Sequence, residues 1–274
     1  MSAFVSLQKL LPQHLISRVA GRLASSEHPW LRERLIRAFA RAYGVDMAEA
    51  ERSDLADYRS FNDFFSRALR PGARPIDPAT DAVVSPADGV VSQTGLIEDG
   101  QLLQAKGIRY SFEALADAAA HPDFEGGAFA TVYLSPSDYH RVHLPLAGRL
   151  VRTVAIPGKL FSVNATTEAG VDGLFAINER LVMEFETAHG RMLVVMVGAM
   201  IVASIETVWD GPRSPYRQKV VTEHDLTFET GAEIGRFLLG SSVVLAFEPG
   251  RVDLRDDLAA GTVLRMGEAI GRAR

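Results

Sequence analysis

"FLLGSSVVLAF", residues 237–247, reads as one strand of a covered sheet with a fault in it. Leu238, Val243, Val244, Leu245 and Phe247 are residues that fill a sheet buried on both faces, whereas Gly240, Ser241 and Ser242 lose packing in the middle of the run. Two explanations are open: a β-bulge, or chemistry that needs a hydroxyl there. The texture around the stretch is the same. "VVSPADGVVSQTG", "FATVYLSPSDYHRVHLPLAGRLVRTVAIPG", "RLVMEFET" and "RMLVVMVGAMIVASIETVW" carry the β-branched and aromatic enrichment of short strands, punctuated by Gly, Pro, Asp and Ser.

Ahead of residue 80 the period changes. Leu15, Ile16, Val19 and Leu23 fall on one helical face beside Arg18 and Arg22, and Leu31, Leu35, Ile36 and Phe39 repeat the pattern beside Arg34, Arg37 and Arg41. Ser60 then caps a short apolar helix that Pro71, Gly72 and Pro75 close. The reading is an α+β protein: N-terminal amphipathic helices over residues 1–80, followed over residues 81–274 by a mainly antiparallel β-sandwich or barrel-like core. "GAEIGRF" (231–237) and "GEAIGRA" (267–273) look like one turn used twice, which hints at internal pseudo-symmetry.

The 274 residues are 47% hydrophobic, ample for a real core, and contain no cysteine, which excludes disulfides, thiolate metal sites and a cysteine nucleophile. The formal charge of -5 argues against general nucleic-acid binding. It is unevenly spread: residues 1–43 carry seven basic and two acidic side chains, a net +5. Such a segment either lies on an anionic membrane surface or packs its apolar face on the main body. No signal-peptide core is expected at the start, and the longest apolar run, residues 192–203, is too short to span a bilayer.

Three stretches set chemistry-bearing groups among turn residues: Asp88 in "SPADG", His140 and His143 in "DYHRVHLP", and Ser241 in "LLGSS". Asp, His and Ser are together the ingredients of nucleophilic catalysis. Each also has a plainer reading. Asp88 is ordinary turn chemistry, the two histidines are strand residues or a ligand pair, and Gly-Ser is a bulge. A spacing of three on a strand sends the histidines to opposite faces and no third ligand is evident nearby, so no metal is expected. "NAT" at Asn164 is formally a glycosylation acceptor, but nothing else points to secretion.

Eight ordered segments weigh the three stretches together: "FNDFFSRALRPGARPID", "VVSPADGVVSQTG", "LQAKG", "DYHRVHLPLAGRL", "GKLFSVN", "LFAINERLV", "VGAMIVASIETVW" and "FLLGSSVVLAF". In order and spacing, over nearly the whole chain, they resemble the bacterial phosphatidylserine decarboxylase proenzymes. Where many members read Leu-Gly-Ser-Thr, this chain has Ser242 in the Thr position.

The resemblance implies self-cleavage of the Gly240–Ser241 bond into a β-chain (1–240) and an α-chain (241–274), which stay together and dimerise further. Ser241 would attack, with His143 as general base and Asp88 as its orienting carboxylate, and would end as an N-terminal pyruvoyl cofactor. That group would form a Schiff base with phosphatidylserine and release CO₂ and phosphatidylethanolamine, with His140 a candidate proton donor. The substrate implies a peripheral enzyme on the cytoplasmic side of the cell membrane, docked through the basic N-terminal helices. The rivals are a pyruvoyl decarboxylase of a soluble amino acid, a Ser/His/Asp hydrolase that stays intact, and a non-catalytic lipoyl-like binding module.

Overall fold

The computed structural model describes residue 8 and residues 11–119, 122–200, 205–212, 215–238 and 241–274, with Ser241 described by its backbone alone. Two helices, α1 (Gln13–Ala24) and α2 (Pro29–Tyr43), and the short α3 (Phe61–Phe65) precede the strands. Ser60 caps α3 as its position predicts, its hydroxyl accepting from the Asp63 amide at 3.2 Å. The strands are β1 (Ala82–Val84), β2 (Gly89–Leu96), β3 (Gln101–Leu103), β4 (Arg109–Ser111), β5 (Ala128–Leu134), β6 (Arg141–His143), β7 (Gly148–Ile156), β8 (Arg180–Thr187) and β9 (Gly190–Val197). They continue as β10 (Ile205–Thr207), β11 (Gly211–Pro212), β12 (Val220–Phe228), β13 (Glu233–Phe237), β14 (Ser241–Phe247), β15 (Val252–Leu254), β16 (Val263–Leu264) and β17 (Ala269–Ala273).

An eight-stranded antiparallel sheet, in the order β12-β7-β8-β9-β14-β5-β2-β16, forms the body. Two smaller sheets, β1-β17-β15 and β11-β10-β13-β6, complete the frame, and among the described residues the large sheet stays open. One core, with Val132, Leu134, Val243, Leu245 and Phe247, fills one face; a second, with Phe129, Val195, Val244 and Ala246, fills the other. Period-two alternation along β14 thus feeds both cores, which is why its residues are apolar without a break after Ser242.

The strands repeat. β1, β2, β5, β14, β15, β16 and β17 pair as β6, β7, β8, β9, β10, β12 and β13 do. Val83 opposes Gly271 as Val142 opposes Gly235, and Leu264 opposes Gly89 as Phe228 opposes Gly148. The central strands β9 and β14 pair with each other, Leu245 opposite Val194, so a pseudo-twofold relation passes through that pair. The second set is continuous and is inserted between β5 and β14 of the first. The repeated turn seen in the sequence is part of this: Gly231 and Gly267 both have φ above +75°, and a Cβ on either would meet the Ile76 side chain at 2.7 and 2.8 Å. One isoleucine wedges between the two copies, and only glycine fits against it.

The first helix turns out inverted. Its buried residues are Gln13, Ser17 and Ala24, while Leu15, Val19 and Leu23 are 53%, 48% and 47% exposed. Polar bonds hold it in this sense: the Leu160 amide donates to Gln13 Oε1, and Gln8 and Ser162 bond each other through side chain and backbone, all at 2.9 Å. α2 and α3 instead share an aromatic cluster of Tyr58, Phe61, Phe64 and Phe65, edged by Phe39. No described helix is long and apolar enough to cross a membrane.

Candidate active site

The two repeats cross at their prolines. The Val84 amide donates to the Pro145 carbonyl at 2.9 Å and the His143 amide to Pro86 at 2.8 Å, so the "SPADG" and "HLPLAG" turns lie against each other. That exchange brings Asp88 and His143, 55 positions apart in the chain, into one region.

Asp88 is buried and its carboxylate is fully engaged. Arg74 Nε donates to both its oxygens at 2.8 and 3.0 Å, and the Met266 amide donates to Oδ1 at 2.8 Å. The same guanidinium reaches Glu49 at 2.7 Å, and the hydrogen-bonded Asp88 holds Arg74 protonated beyond its ordinary range. His143 is held by other groups. Its Nδ1 lies 2.8 Å from the Gly231 carbonyl and its Nε2 3.0 Å from the Tyr139 hydroxyl. A carbonyl only accepts, so Nδ1 carries the proton, Tyr139 donates, and Nε2 keeps the basic lone pair. Burial pushes the imidazole below its ordinary value, while the Gly231 bond and the charge of Asp88 pull the other way. The structure therefore sets Asp88 near His143 but gives the orienting hydrogen bond to Gly231.

Ser241 opens β14 with its backbone opposite Leu134 of β5. Leu239 and Gly240 lie outside the described residues. At the other side of that step the Phe237 amide donates to the His140 carbonyl at 2.9 Å. Leu134 and His140 flank the turn 135–139, so the described residues Phe237 and Ser241 are each held at one end of that turn. Ser242 follows, fully buried, its hydroxyl without a hydrogen-bond partner among the described residues.

His140 is fully buried and stacks on Phe65 at 4.0 Å between ring centroids. Neither ring nitrogen makes a hydrogen bond of full geometry, and burial, with Arg67 adding to it, pushes its pKa down to about 3. Burial thus favours the neutral imidazole. Asp138, in the same turn, accepts from the Ser135 amide at 2.6 Å; burial raises its pKa and the charge of Asp88 contributes. Among the described residues no group of three or more His, Asp or Glu is placed to hold a metal ion. Above this region a cavity of about 690 Å³ opens between the N-terminal helices and the sheet, lined by Leu23, Leu35, Phe39, Phe65, Tyr133 and Pro136 among others.

Residues 61–272 match the model of the family described as phosphatidylserine decarboxylase. The chain belongs to that family. A second model, PSD, matches residues 3–44. The chain is 53% identical over 279 aligned positions to the phosphatidylserine decarboxylase proenzyme of Azotobacter vinelandii, covering 98% of each chain. It is 51% identical to the proenzyme of Psychrobacter cryohalolentis over the full length of both, and 50% to that of Ectopseudomonas mendocina over 99% of this chain and 98% of the relative.

Around Asp88, His140 and His143 the structure places four residues that the sequence reading did not single out. Arg74, Tyr139, Asp138 and Arg67 all lie inside quoted segments, "RPGARP", "DYHRVH" and "FFSRAL", but only the folded chain reveals that they touch Asp88, His143, the Ser135 amide and the Ser137 carbonyl. The Asn164 "NAT" is a helix start: Asn164 Oδ1 accepts from the Thr166 and Thr167 amides at 3.0 and 3.1 Å.

Proposed function

We propose that the chain is a phosphatidylserine decarboxylase that matures by cutting itself at Gly240–Ser241. What supports this reading is that the described residues on either side of the bond, Phe237 and Ser241, pair with His140 and Leu134 at the two ends of the turn 135–139, three residues from the base His143. His143 Nε2, its lone pair fixed by the Gly231 bond, would take the proton of the Ser241 hydroxyl as that oxygen adds to the Gly240 carbonyl. Tyr139 would then give up its place on Nε2 to the serine. Asp88, charged and locked by Arg74, would favour the imidazolium that forms, acting through space. Gly240 leaves its carbonyl unhindered.

The residues around position 241 fit an N-terminal pyruvoyl group. Ser242 Oγ, on the adjoining residue, and both His140 nitrogens, at the end of the turn that starts from Leu134 opposite Ser241, are buried polar atoms without partners among the described residues. A pyruvoyl group supplies a carbonyl that binds the substrate amine and accepts the electrons freed as CO₂ leaves. As a neutral ring His140 has no acidic proton to give, so in place of the expected proton donor it would be a hydrogen-bonding partner there. The α-chain would stay bound without any covalent link, because β14 is paired on both sides, to β5 and β9, and Val243 to Phe247 are buried, each worth about 1.5–3 kcal/mol for the larger side chains.

The inverted α1 supports docking on a lipid surface. A helix that turns Leu15, Val19 and Leu23 outward beside Arg18 and Arg22 has an apolar face for acyl chains and cations for anionic headgroups. Intact-mass spectrometry of denatured protein tests the reading. Two chains are expected, residues 1–240 and a 34-residue α-chain. The α-chain should be lighter than its serine form by one ammonia, and both chains should be lost in Ser241→Ala. A single intact chain in protein that releases CO₂ from phosphatidylserine vesicles would end the self-cleavage proposal.

A further inference from the structure

Arg67 is a buried charge with no carboxylate partner among the described residues; only 3% of it is exposed. Its Nη2 donates to the Ser137 carbonyl at 2.9 Å, and its guanidinium lies 5.7 Å from the Phe64 ring centroid. Nε and Nη1 have no partner among the described residues. Burial lowers its pKa, and its charge in turn acts on His140, whose two nitrogens are also unpartnered and fully buried. Among the described residues four buried nitrogens around this turn lack a hydrogen bond of full geometry, whereas Arg74, Arg141 and Arg52 have each found a carboxylate. A guanidinium left in this state is a fork for an anionic oxygen that arrives from outside.

The surroundings indicate which anion. On one side Phe65 and Pro136 line the apolar cavity under the N-terminal helices. On the other the turn leads to the start of β14. Apolar cavity, buried cation and reacting terminus follow in the order in which a glycerophospholipid presents acyl chains, phosphodiester and amine. Resting on the decarboxylase reading above, we infer that Arg67, with His140 beside it, binds the phosphodiester of the phospholipid and so sets the distance from lipid to reaction centre. Arg67 is a positioning and binding residue here; it takes no proton.

The experiment uses the matured two-chain protein and short-chain phosphatidylserine. Arg67→Gln is expected to raise KM by about tenfold or more with kcat changed far less, and Arg67→Lys, which keeps the charge and loses the fork, to fall between. In thermal unfolding, glycerophosphoethanolamine, which has the phosphodiester and no carboxylate, is expected to stabilise the wild type and not R67Q, while free serine stabilises neither. An unchanged KM in R67Q, or equal stabilisation of R67Q and wild type, overturns the proposal. Stabilisation by serine alone would assign Arg67 to the carboxylate and overturn it as well. If R67Q does not mature, the wild type decides: no stabilisation and no competition by saturating glycerophosphoethanolamine refutes the site. A wild type that binds glycerophosphoethanolamine but decarboxylates no phosphatidylserine would sink the functional reading and leave the anion site standing.

Discussion

The two strand sets have the same backbone and different chemistry. Pro86 and Pro145 occupy equivalent places and accept equivalent hydrogen bonds, and so do the glycines that open β2 and β7. Yet the position of Asp88 in the first turn is Ala147 in the second, and the position of His143 in the second is Val84 in the first. Ser241, opposite Leu134, corresponds to Gly190, opposite Thr187, where the second set makes a plain hairpin. The frame needs the prolines and glycines in both copies; it does not need the acid, the base or the hydroxyl. Residues that break the relation are therefore the ones to which function is best assigned, and the comparison can be tested by restoring or extending the asymmetry.

The largest effect is expected at His143. General-base assistance is worth roughly 10²- to 10⁴-fold, so His143→Ala should slow the appearance of the two chains by about that factor in a time course followed by mass spectrometry. Installing the imidazole at the equivalent place, Val84→His in the H143A background, should restore nothing, because its twin of Ser241 is a glycine. Since burial lowers the His143 pKa, the base stays neutral below the ordinary 6.5, and the acid limb of the wild-type processing rate should fall below that pH. An acid limb above it would mean that another group takes the proton.

Asp88 and Ala147 give the next contrast. Breaking a buried ion pair by removing one partner costs about 3–5 kcal/mol, and the Arg74 and Asp88 side chains are 7% and 10% exposed. Asp88→Asn in the uncleaved S241A protein should lose stability of that order in urea titration, while Ala147→Asp, at a partly exposed site, should change it by about 0.5 kcal/mol. Equal effects would mean that the pair is not what sets the two turns apart. A smaller asymmetry separates the glycines that clasp Ile76. An alanine at Gly231 meets only that flexible side chain, whereas one at Gly267 also meets the Pro75 carbonyl at 2.6 Å. Both substitutions pay about 1–2 kcal/mol for the left-handed backbone, but Ile76→Val should relieve G231A and not G267A.

Much of this frame was legible in the chain. The strand texture after residue 80, the Ser60 cap and the twice-used turn were all readable, because alternation, capping and glycine chemistry are local. The sense of α1 was not. Its leucine face was plain, but which face turns inward is decided by Gln8 and Gln13 meeting the 160–162 segment about 150 positions away. Asp88, His143 and Ser241 were readable as chemistry-bearing types in turns. Their partners were not: Arg74 reaches Asp88 across a loop and Gly231 reaches His143 from the far end of the second strand set, and neither contact has a local pattern that marks it.

The smallest effect concerns His140 and its counterpart Asp81. Both carbonyls accept from the last strand of their sheet, His140 from Phe237 at 2.9 Å and Asp81 from Ala273 at 2.8 Å, so the backbone role is the same. The Asp81 side chain is 51% exposed; His140 is buried against Phe65 with its pKa pushed down to about 3 from 6.5. Below pH 6.5 the unfolded chain takes up a proton at residue 140 that the folded chain refuses, so the stability held above that pH drains away by about 1.4 kcal/mol per unit as pH falls toward 3. Urea titrations of S241A between pH 6.5 and 4.5 should show this loss on top of the carboxylate contributions, and His140→Gln should remove it, flattening the slope by that amount. An identical slope in the two proteins would mean that His140 is protonated in the folded state, and the neutral ring assigned to the site would have to be given up.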